Sequence, residues 1–374
     1  MNEYEQKIKL VMISTERESS SVSRQILGLL SNLNQEKFDL FLICEAGDFS
    51  EDAKRINGVR VKTLSSKQNF IKQLFSVRSK ILDIKTIGYP FQPMIIHSHG
   101  FKASILSRTL IPVKAASIVT IYNIDGISRL NRLKRFIFNE FLRFLNYSRT
   151  DLLITPSSPV RRFLIDNELA SKEKTIIAPS VDDMSDNLET KKIKEINKEP
   201  IIGISGMNWD KSSIDRLLLT TEALLHKYPL ASLEIITDEQ NKNLLDRRIS
   251  SKSYDNHITV FSGEKGEKVK LKDWDICLIL PLPLIYDSSI LNNCMNIGVP
   301  IVGDFQILSG IIKDDKNGLL FKSESPSKII QKISEVVGHP AKAAKLKKEA
   351  SKSIKEYVCP KNSKIFEKIY QNII

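Results

Sequence analysis

Short apolar runs rich in isoleucine and valine alternate along this chain with stretches whose apolar residues recur every three or four positions. Ile8–Ser14 (IKLVMIS) is an apolar run of strand length. A polar loop, TERESSSV, follows it, and then a segment of helical period from Val22 to Leu33. Phe38–Cys44, Val59–Leu64, Met94–His97, Ser117–Ile121 and Asp151–Thr155 read as further strands. Asn69–Ile87, Lys102–Leu110 and Leu130–Asn146 read as helices between them. Continuous apolar runs alternating with amphipathic helices predict a parallel sheet covered on both faces.

The alternation stops over residues 180–200, where no apolar run exceeds one residue. It restarts with Pro200–Ser205, helix Ser213–Lys227, and strands Ser232–Thr237, Ile258–Ser262 and Asp275–Leu280. Helix Ile290–Ile297, strands Pro300–Val302 and Gly318–Phe321, and a helical tail from Lys328, broken at Pro340 and Pro360, complete the pattern. A chain of 374 residues suits two cores. The expected fold class is α/β: two Rossmann-like, doubly wound domains in series, the first over 1–185 and the second over 200–358. A linker over 186–199 joins them, and a C-terminal helix covers 359–374. Ligands bind such sheets at the carboxyl ends of the strands, which places the expected site in a cleft between the domains.

Composition removes several classes. Hydrophobic residues make up 41% and charged residues 27%, a soluble balance. No apolar run is long enough to span a bilayer, and the opening MNEYEQKIKL lacks a signal-peptide core. The four cysteines lack metal spacing, as expected of reduced thiols in a cytoplasmic protein. The net charge of +12 fits a phosphorylated substrate, an anionic membrane or nucleic acid, or a lysine-rich genome alone. Zinc-finger spacing and aromatic–basic RNA-binding strings are missing, so no nucleic-acid partner is expected. Residues 128–149, SRLNRLKRFIFNEFLRFLNYSR, interleave arginines and Lys134 with phenylalanines. This is either an ordinary domain helix with a buried apolar face or one that rests on an anionic membrane.

Candidate chemistry gathers at predicted strand ends. Ser20 and Ser21 precede a helix, where they either cap it or leave amides free for a phosphate. His97 and His99, at i and i+2, suit a base, a hydrogen-bonding pair or a structural role. No cysteine or carboxylate lies near them to complete a metal site. Tyr122, Asn123 and Asp125 follow the next strand. Gly206, Asn208 and Lys211 lie between a strand and a helix, where a lysine is either a point charge for a diphosphate or a surface residue. The stretch YDSSILNNCMNIGVPIV, 286–302, opens a helix with the amides of Ser288, Ser289 and Ile290, and Asp287 is its one charge.

The strings IIHSHGFKASILSR, TDLLITPSSPVRRFLI, KTIIAPSVD, IDRLLLTTEALLHKYPLASLEII, WDICLILPL and NIGVPIVGD…IIKDDKNGLLF occur in one order along nearly the whole chain. In that order and spacing they resemble the GT-B glycosyltransferases, closest to the retaining family four that uses nucleotide-sugars. The resemblance implies an acceptor-binding first domain, a nucleotide-sugar-binding second domain, and a C-terminal helix that returns to the first. It implies donor contacts at Ser20, Ser21, Gly206, Asn208, Lys211, Ser288, Ser289, Ile290 and Asn293. It implies catalytic roles for His99, Tyr122 and Lys211, with no cofactor and no metal.

The chain departs from the family where the chemistry is sharpest. The family's arginine–lysine pair falls on Met207 and Lys211, a histidine on Tyr122, and two glutamates eight residues apart on Ile285 and Asn293. The implied activity is sugar transfer from a nucleotide-sugar, a UDP-sugar, to a glycan or lipid-linked acceptor in cell-envelope polysaccharide synthesis. The rival is a non-catalytic GT-B-like subunit that holds an acceptor or an active partner.

Overall fold

The structure is a computed structural model. It describes the chain apart from residues 1–5, 18–19, 66–67, 90, 110–113, 123–131, 157, 179–198, 207–208, 210, 238, 251, 263–270, 281–287, 310, 323–324 and 358. The side chains of 21, 158–159, 288–289, 355–357 and 359–362 are likewise left aside. Nearly all of the expected linker lies outside the described residues. Two compact units form: Met1–Asp183 with Val358–Ile374, and Met184–Tyr357.

In the first unit β1 (Ile8–Ser14), α1 (Ser21–Asn32), β2 (Phe38–Glu45), α2 (Asp48–Lys54), β3 (Val59–Leu64), α3 (Phe70–Thr86) and β4 (Met94–His99) succeed one another. The alternation continues with α4 (Phe101–Arg108), β5 (Ala116–Thr120), α5 (Arg132–Ser148), β6 (Leu152–Thr155), α6 (Ser158–Asp166) and β7 (Thr175–Ile177). The second unit runs β8 (Ile201–Ser205), α7 (Lys211–Lys227), β9 (Ser232–Thr237), α8 (Glu239–Ile249), β10 (Ile258–Ser262), β11 (Ile276–Ile279) and α9 (Ser288–Ile297). It ends with β12 (Ile301–Asp304), the short α10 (Phe305–Leu308), β13 (Leu319–Phe321), α11 (Pro326–Val337) and α12 (Pro340–Tyr357). The last helix, α13 (Cys359–Asn372), belongs to the first unit.

The seven-stranded sheet has the order β3-β2-β1-β4-β5-β6-β7 and the six-stranded sheet β10-β9-β8-β11-β12-β13. Every pairing is parallel. Both orders reverse once, between β1 and β4 and between β8 and β11. These are the switch points at which doubly wound sheets hold ligands.

The doubly wound α/β architecture expected from the sequence is thus present, and its cause is burial on both faces. Leu10 and Met12 of β1 pack with Leu40, Leu42, Ile26 and Leu30 on one face. Val11 and Ile13 pack with Phe41, Ile43, Val77 and Ile81 on the other. The second sheet divides likewise, Ile276 and Leu278 of β11 joining one core and Cys277 and Ile279 the other. At Gly203, a side chain's first carbon would come within 1.8 Å of the Trp274 ring, so β8 admits the indole only because glycine stands there.

Several boundaries differ from the sequence reading. β4 runs on to His99, because Ser14 and Thr120 pair with it there. Lys211 is the first residue of α7 rather than part of a preceding loop. Pro340 opens α12 and Pro360 stands second in α13, where a missing N–H costs nothing. Helices α2, α6 and α8 carry weak periodic signals. The polar α8 buries only Asn241, Leu245 and Ile249.

α13 closes one face of the first sheet. Phe366 and Tyr370 are 2% and 0% exposed within the core that holds Leu10 and Ile95. The Tyr370 ring meets Phe38 edge-on at 5.8 Å. Phe366→Ala is therefore expected to cost about 3–5 kcal/mol. Ile365→Ala, at a site 43% exposed, is expected to cost less than about 0.5 kcal/mol. Chemical denaturation of the two variants measures the difference.

Candidate functional site

At the carboxyl edge of the first sheet, β1 and β4 end side by side, Ser14 in register with His99. β4 alternates, so Ile95, His97 and His99 share a face. Both histidines are buried, at 0% and 3% exposure, and their rings lie 4.1 Å apart. His97 Nδ1 hydrogen-bonds the Tyr370 hydroxyl and its Nε2 the Thr120 hydroxyl, both at 2.8 Å. Both of its nitrogens are spent on the scaffold, so His97 is structural. His99 Nδ1 hydrogen-bonds the Tyr122 hydroxyl at 2.8 Å. Its Nε2 is buried without a hydrogen-bond partner among the described residues. The structure thus joins two of the expected catalytic residues, His99 and Tyr122, and leaves one buried ring nitrogen without a hydrogen-bond partner among the described residues.

Burial sets the charge of this pair. It holds His99 down to about 3. It pushes His97 well below the ordinary imidazole value, helped by the neighbouring His99. Both rings are neutral at pH 7, and a neutral imidazole offers a directional donor or acceptor rather than a charge. Nearby, Glu45 ends β2 and accepts from Lys102 Nζ at 3.0 Å and from Gln73 Nε2 at 3.3 Å.

Ser20 resolves toward the cap. Its side chain accepts from the Ser23 amide at 3.1 Å and its hydroxyl donates to Glu16 at 2.8 Å. Ser23 Oγ accepts from the Ser20 amide at 2.6 Å, completing a capping box at the start of α1. The hydroxyl is committed to the helix and to Glu16, so a donor contact through it requires giving up one of those bonds. The Ser21 side chain lies outside the described residues.

In the second unit, Ser205 ends β8, and the amide of Gly206 donates to Ile236 O at 3.1 Å. Lys211 is exposed at the N-terminus of α7, and Asn293 is half-buried on α9 three residues after the buried Ile290. Three polar atoms here were not foreseen. Ser205 Oγ, Thr237 Oγ1 and Trp209 Nε1 are buried with no hydrogen-bond partner among the described residues. Ser205 and Thr237 close adjacent strands, and Trp209 lies in the turn from β8 to α7. Buried polar groups are normally paired, so unpaired ones at the carboxyl edge of this sheet are candidates for a ligand, although Ser205 is in register with Ile236 and Thr237 therefore takes the other face. No sequence signal reveals unpaired atoms; only packing does. Asn208, Met207, Asn123, Asp125, Ile285, Asp287 and the side chains of Ser288 and Ser289 lie outside the described residues.

Comparisons with known proteins agree with this frame. Residues 22–184 match the sequence model of Glycosyltransferase Family 4. The matched stretch lies within the first unit, apart from its last residue. None of the curated proteins matches the sequence. Among solved structures, a glycosyltransferase from Rickettsia africae superposes with a TM-score of 0.72 at 15% identity, over 98% of each chain. Anabaena HepE, solved with UDP and glucose, gives a TM-score of 0.74 at 13% identity, over 97% of this chain and 99% of its own. Sucrose-phosphate synthase from Thermosynechococcus elongatus gives 0.73 at 12% identity, over 98% and 99%. At these identities the likeness is one of fold, and that fold is GT-B. Among the described residues, no three His, Cys, Asp or Glu side chains gather to hold a metal ion.

The buried histidines of the first unit fix a pH dependence. Their folded pKa values lie below the ordinary unfolded value of 6.5. Below pH 6.5 the unfolded chain binds protons that the folded chain refuses. Their contribution is therefore fully present above pH 6.5 and is lost as pH falls toward 3. Each histidine adds a slope of up to about 1.4 kcal/mol per pH unit in that window. Urea denaturation between pH 4.5 and 7.5 is expected to show the decline, and His99→Gln to flatten it.

Proposed function

We propose that the chain transfers a sugar from a UDP-sugar to a glycan or lipid-linked acceptor, in the synthesis of a cell-envelope polysaccharide. The observation that carries this reading is the set of unpaired buried polar atoms of Ser205, Trp209 and Thr237 at the carboxyl end of the second sheet's first two strands, where Gly206 and Lys211 follow in the chain. Unpaired polar groups at that end of the sheet, with an exposed lysine opening the next helix, suit the hydroxyls and diphosphate of a nucleotide-sugar. HepE, of the same fold, is solved with UDP and glucose.

In the proposed reaction the bond from the sugar's anomeric carbon to the β-phosphate oxygen breaks. A bond to an acceptor hydroxyl oxygen replaces it, UDP leaves with the electron pair, and the hydroxyl's proton passes to the departing diphosphate. The protein's task is to hold donor and acceptor together and to stabilise the negative charge that builds on the diphosphate. Lys211 and the backbone amides opening α9, at Ser288, Ser289 and Ile290, supply that charge stabilisation. Asn293 takes the ribose hydroxyls as a neutral amide. On the first domain, the neutral His99, steadied by Tyr122, presents Nε2 to a sugar or acceptor hydroxyl. No cofactor or metal enters this scheme.

Isothermal titration of UDP tests the donor site. Lys211→Ala is expected to weaken binding by about 10- to 100-fold, the worth of one charge-assisted contact. Asn293→Glu is expected to tighten it about fivefold by exchanging a neutral hydrogen bond for an ionised one. Failure of the wild type to bind UDP, or indifference to both substitutions, defeats the donor assignment. It would favour the non-catalytic subunit suggested by the missing glutamates at Ile285 and Asn293.

We further propose a cytoplasmic protein that rests on the inner face of the membrane through α5. The alternative was a helix whose apolar face is buried. Leu142 and Leu145 are buried, but Leu133, Phe136, Ile137 and Phe144 are 69, 63, 61 and 56% exposed. Arg132, Lys134 and Arg135 stand exposed in the same turns. No helix among the described residues is long and apolar enough to cross a membrane, and a basic apolar stripe of this kind lies in the headgroup plane. Co-sedimentation with phosphatidylglycerol vesicles is expected at low salt, to weaken as salt rises, and to be lost in Phe136→Asp/Ile137→Asp. Absence of binding at low salt refutes the membrane reading and leaves the transferase reading intact.

A further inference from the structure

We propose that the first domain carries a second oxyanion site, built around Arg108 on the edge of the sheet opposite His99. Arg108 ends α4 and is only 4% exposed. Its guanidinium donates through Nε to Ser104 O at 2.9 Å, through Nη1 to Asn146 Oδ1 at 2.7 Å and to Thr150 Oγ1, and through Nη2 to Ser104 Oγ at 3.0 Å. Every one of these acceptors is neutral. Among the described residues, no carboxylate forms an ion pair with it. A buried charge held only by neutral dipoles is a costly arrangement, one that a counter-charge relieves. Burial pulls the guanidinium down to about 9, in keeping with that missing partner.

Beside this side chain opens a cavity of about 210 Å³, lined in part by Arg108, Arg149, Lys174, Ser117, Thr150 and Asp151. Three cations face one carboxylate. Asp151 Oδ2 accepts the backbone N–H of Ser117 at 2.8 Å. Lys174 Nζ donates to Thr150 O at 2.9 Å and Tyr147 O at 3.2 Å. Ser117 Oγ is buried with no partner among the described residues, a second unsatisfied group on the same wall. The cavity falls below the usual 300–1,000 Å³ of organic-ligand sites, and its lining is cationic and rich in hydroxyls. These features select a small oxyanion: inorganic phosphate, or the phosphate of a small phosphoester. The scaffold holds four of the five N–H groups of Arg108, so Arg108 supplies its charge, and the exposed Arg149 supplies the planar fork that matches phosphate oxygens.

The position separates this site from the donor and acceptor groups. Ser117 lies near the start of β5 and Asp151 just before β6, at the amino edge of the sheet. His99 and Thr120 end their strands at the carboxyl edge. The inference therefore rests on no part of the transfer reading.

The experiment titrates inorganic phosphate into the full chain by calorimetry, with melting temperature followed in parallel and ionic strength held constant with chloride. Saturable binding and a rise in Tm that chloride does not reproduce are expected. Arg149→Gln/Lys174→Gln, which trims the rim and leaves buried Arg108 in place, is expected to lower affinity at least tenfold with an unchanged circular dichroism spectrum. Lys211→Ala is expected to leave phosphate affinity within twofold. Glycerol 3-phosphate separates the sources: tighter binding than inorganic phosphate assigns a phosphoester, and equal or weaker binding assigns free phosphate. The proposal is overturned if phosphate does not saturate, if the rim variant binds as well as wild type, or if Lys211→Ala abolishes binding and so places the anion at the donor site.

Discussion

The pairing of β1 with β4, and its counterpart of β8 with β11, is the constraint on which the rest of this protein hangs. Each is the one place where the strand order reverses. On either side of that line the crossover helices lie on opposite faces, so the connecting loops part and leave the strand ends open. In the first domain this sets Ser14 beside His99. In the second it sets Ser205 and Gly206 beside β11 and β9. The pairing needs both faces of each sheet to be apolar, and the two-sided cores supply that.

Charge and burial are distributed unequally between the two domains. The first places its chemistry deep: two neutral histidines in contact, one fixed by Thr120 and by Tyr370 of the last helix. A buried ring held at both nitrogens is a rigid platform, and it orients the second ring, which keeps a nitrogen unspent. The second domain keeps its charge at the surface on Lys211 and its unspent polar atoms just beneath. Under the proposed transfer, Ile285 and Asn293 stand where the resembled family has its acidic pair, so the proposed donor grip draws on amides, hydroxyls and one lysine. Such a grip carries less directed charge than a carboxylate on ribose.

The sequence by itself determined the elements and the fold class, because parallel strands buried on both faces must be written as unbroken apolar runs. It also determined which residues stand at strand ends, so His99, Tyr122, Gly206 and Lys211 were all legible as candidates. It did not reveal α8, since three buried positions among polar residues make too narrow a stripe. Tertiary structure alone decided how the candidates behave. Tyr370 lies 273 residues from His97, and no local pattern links them. Ser20 is the exception, a helix cap made by its near neighbours Ser23 and Glu16 and already one of the two sequence readings. The orphan atoms of Ser205, Trp209 and Thr237, and the uncompensated Arg108, exist only as absences of partners. A missing partner is a property of three-dimensional packing, because it depends on everything that fails to come near.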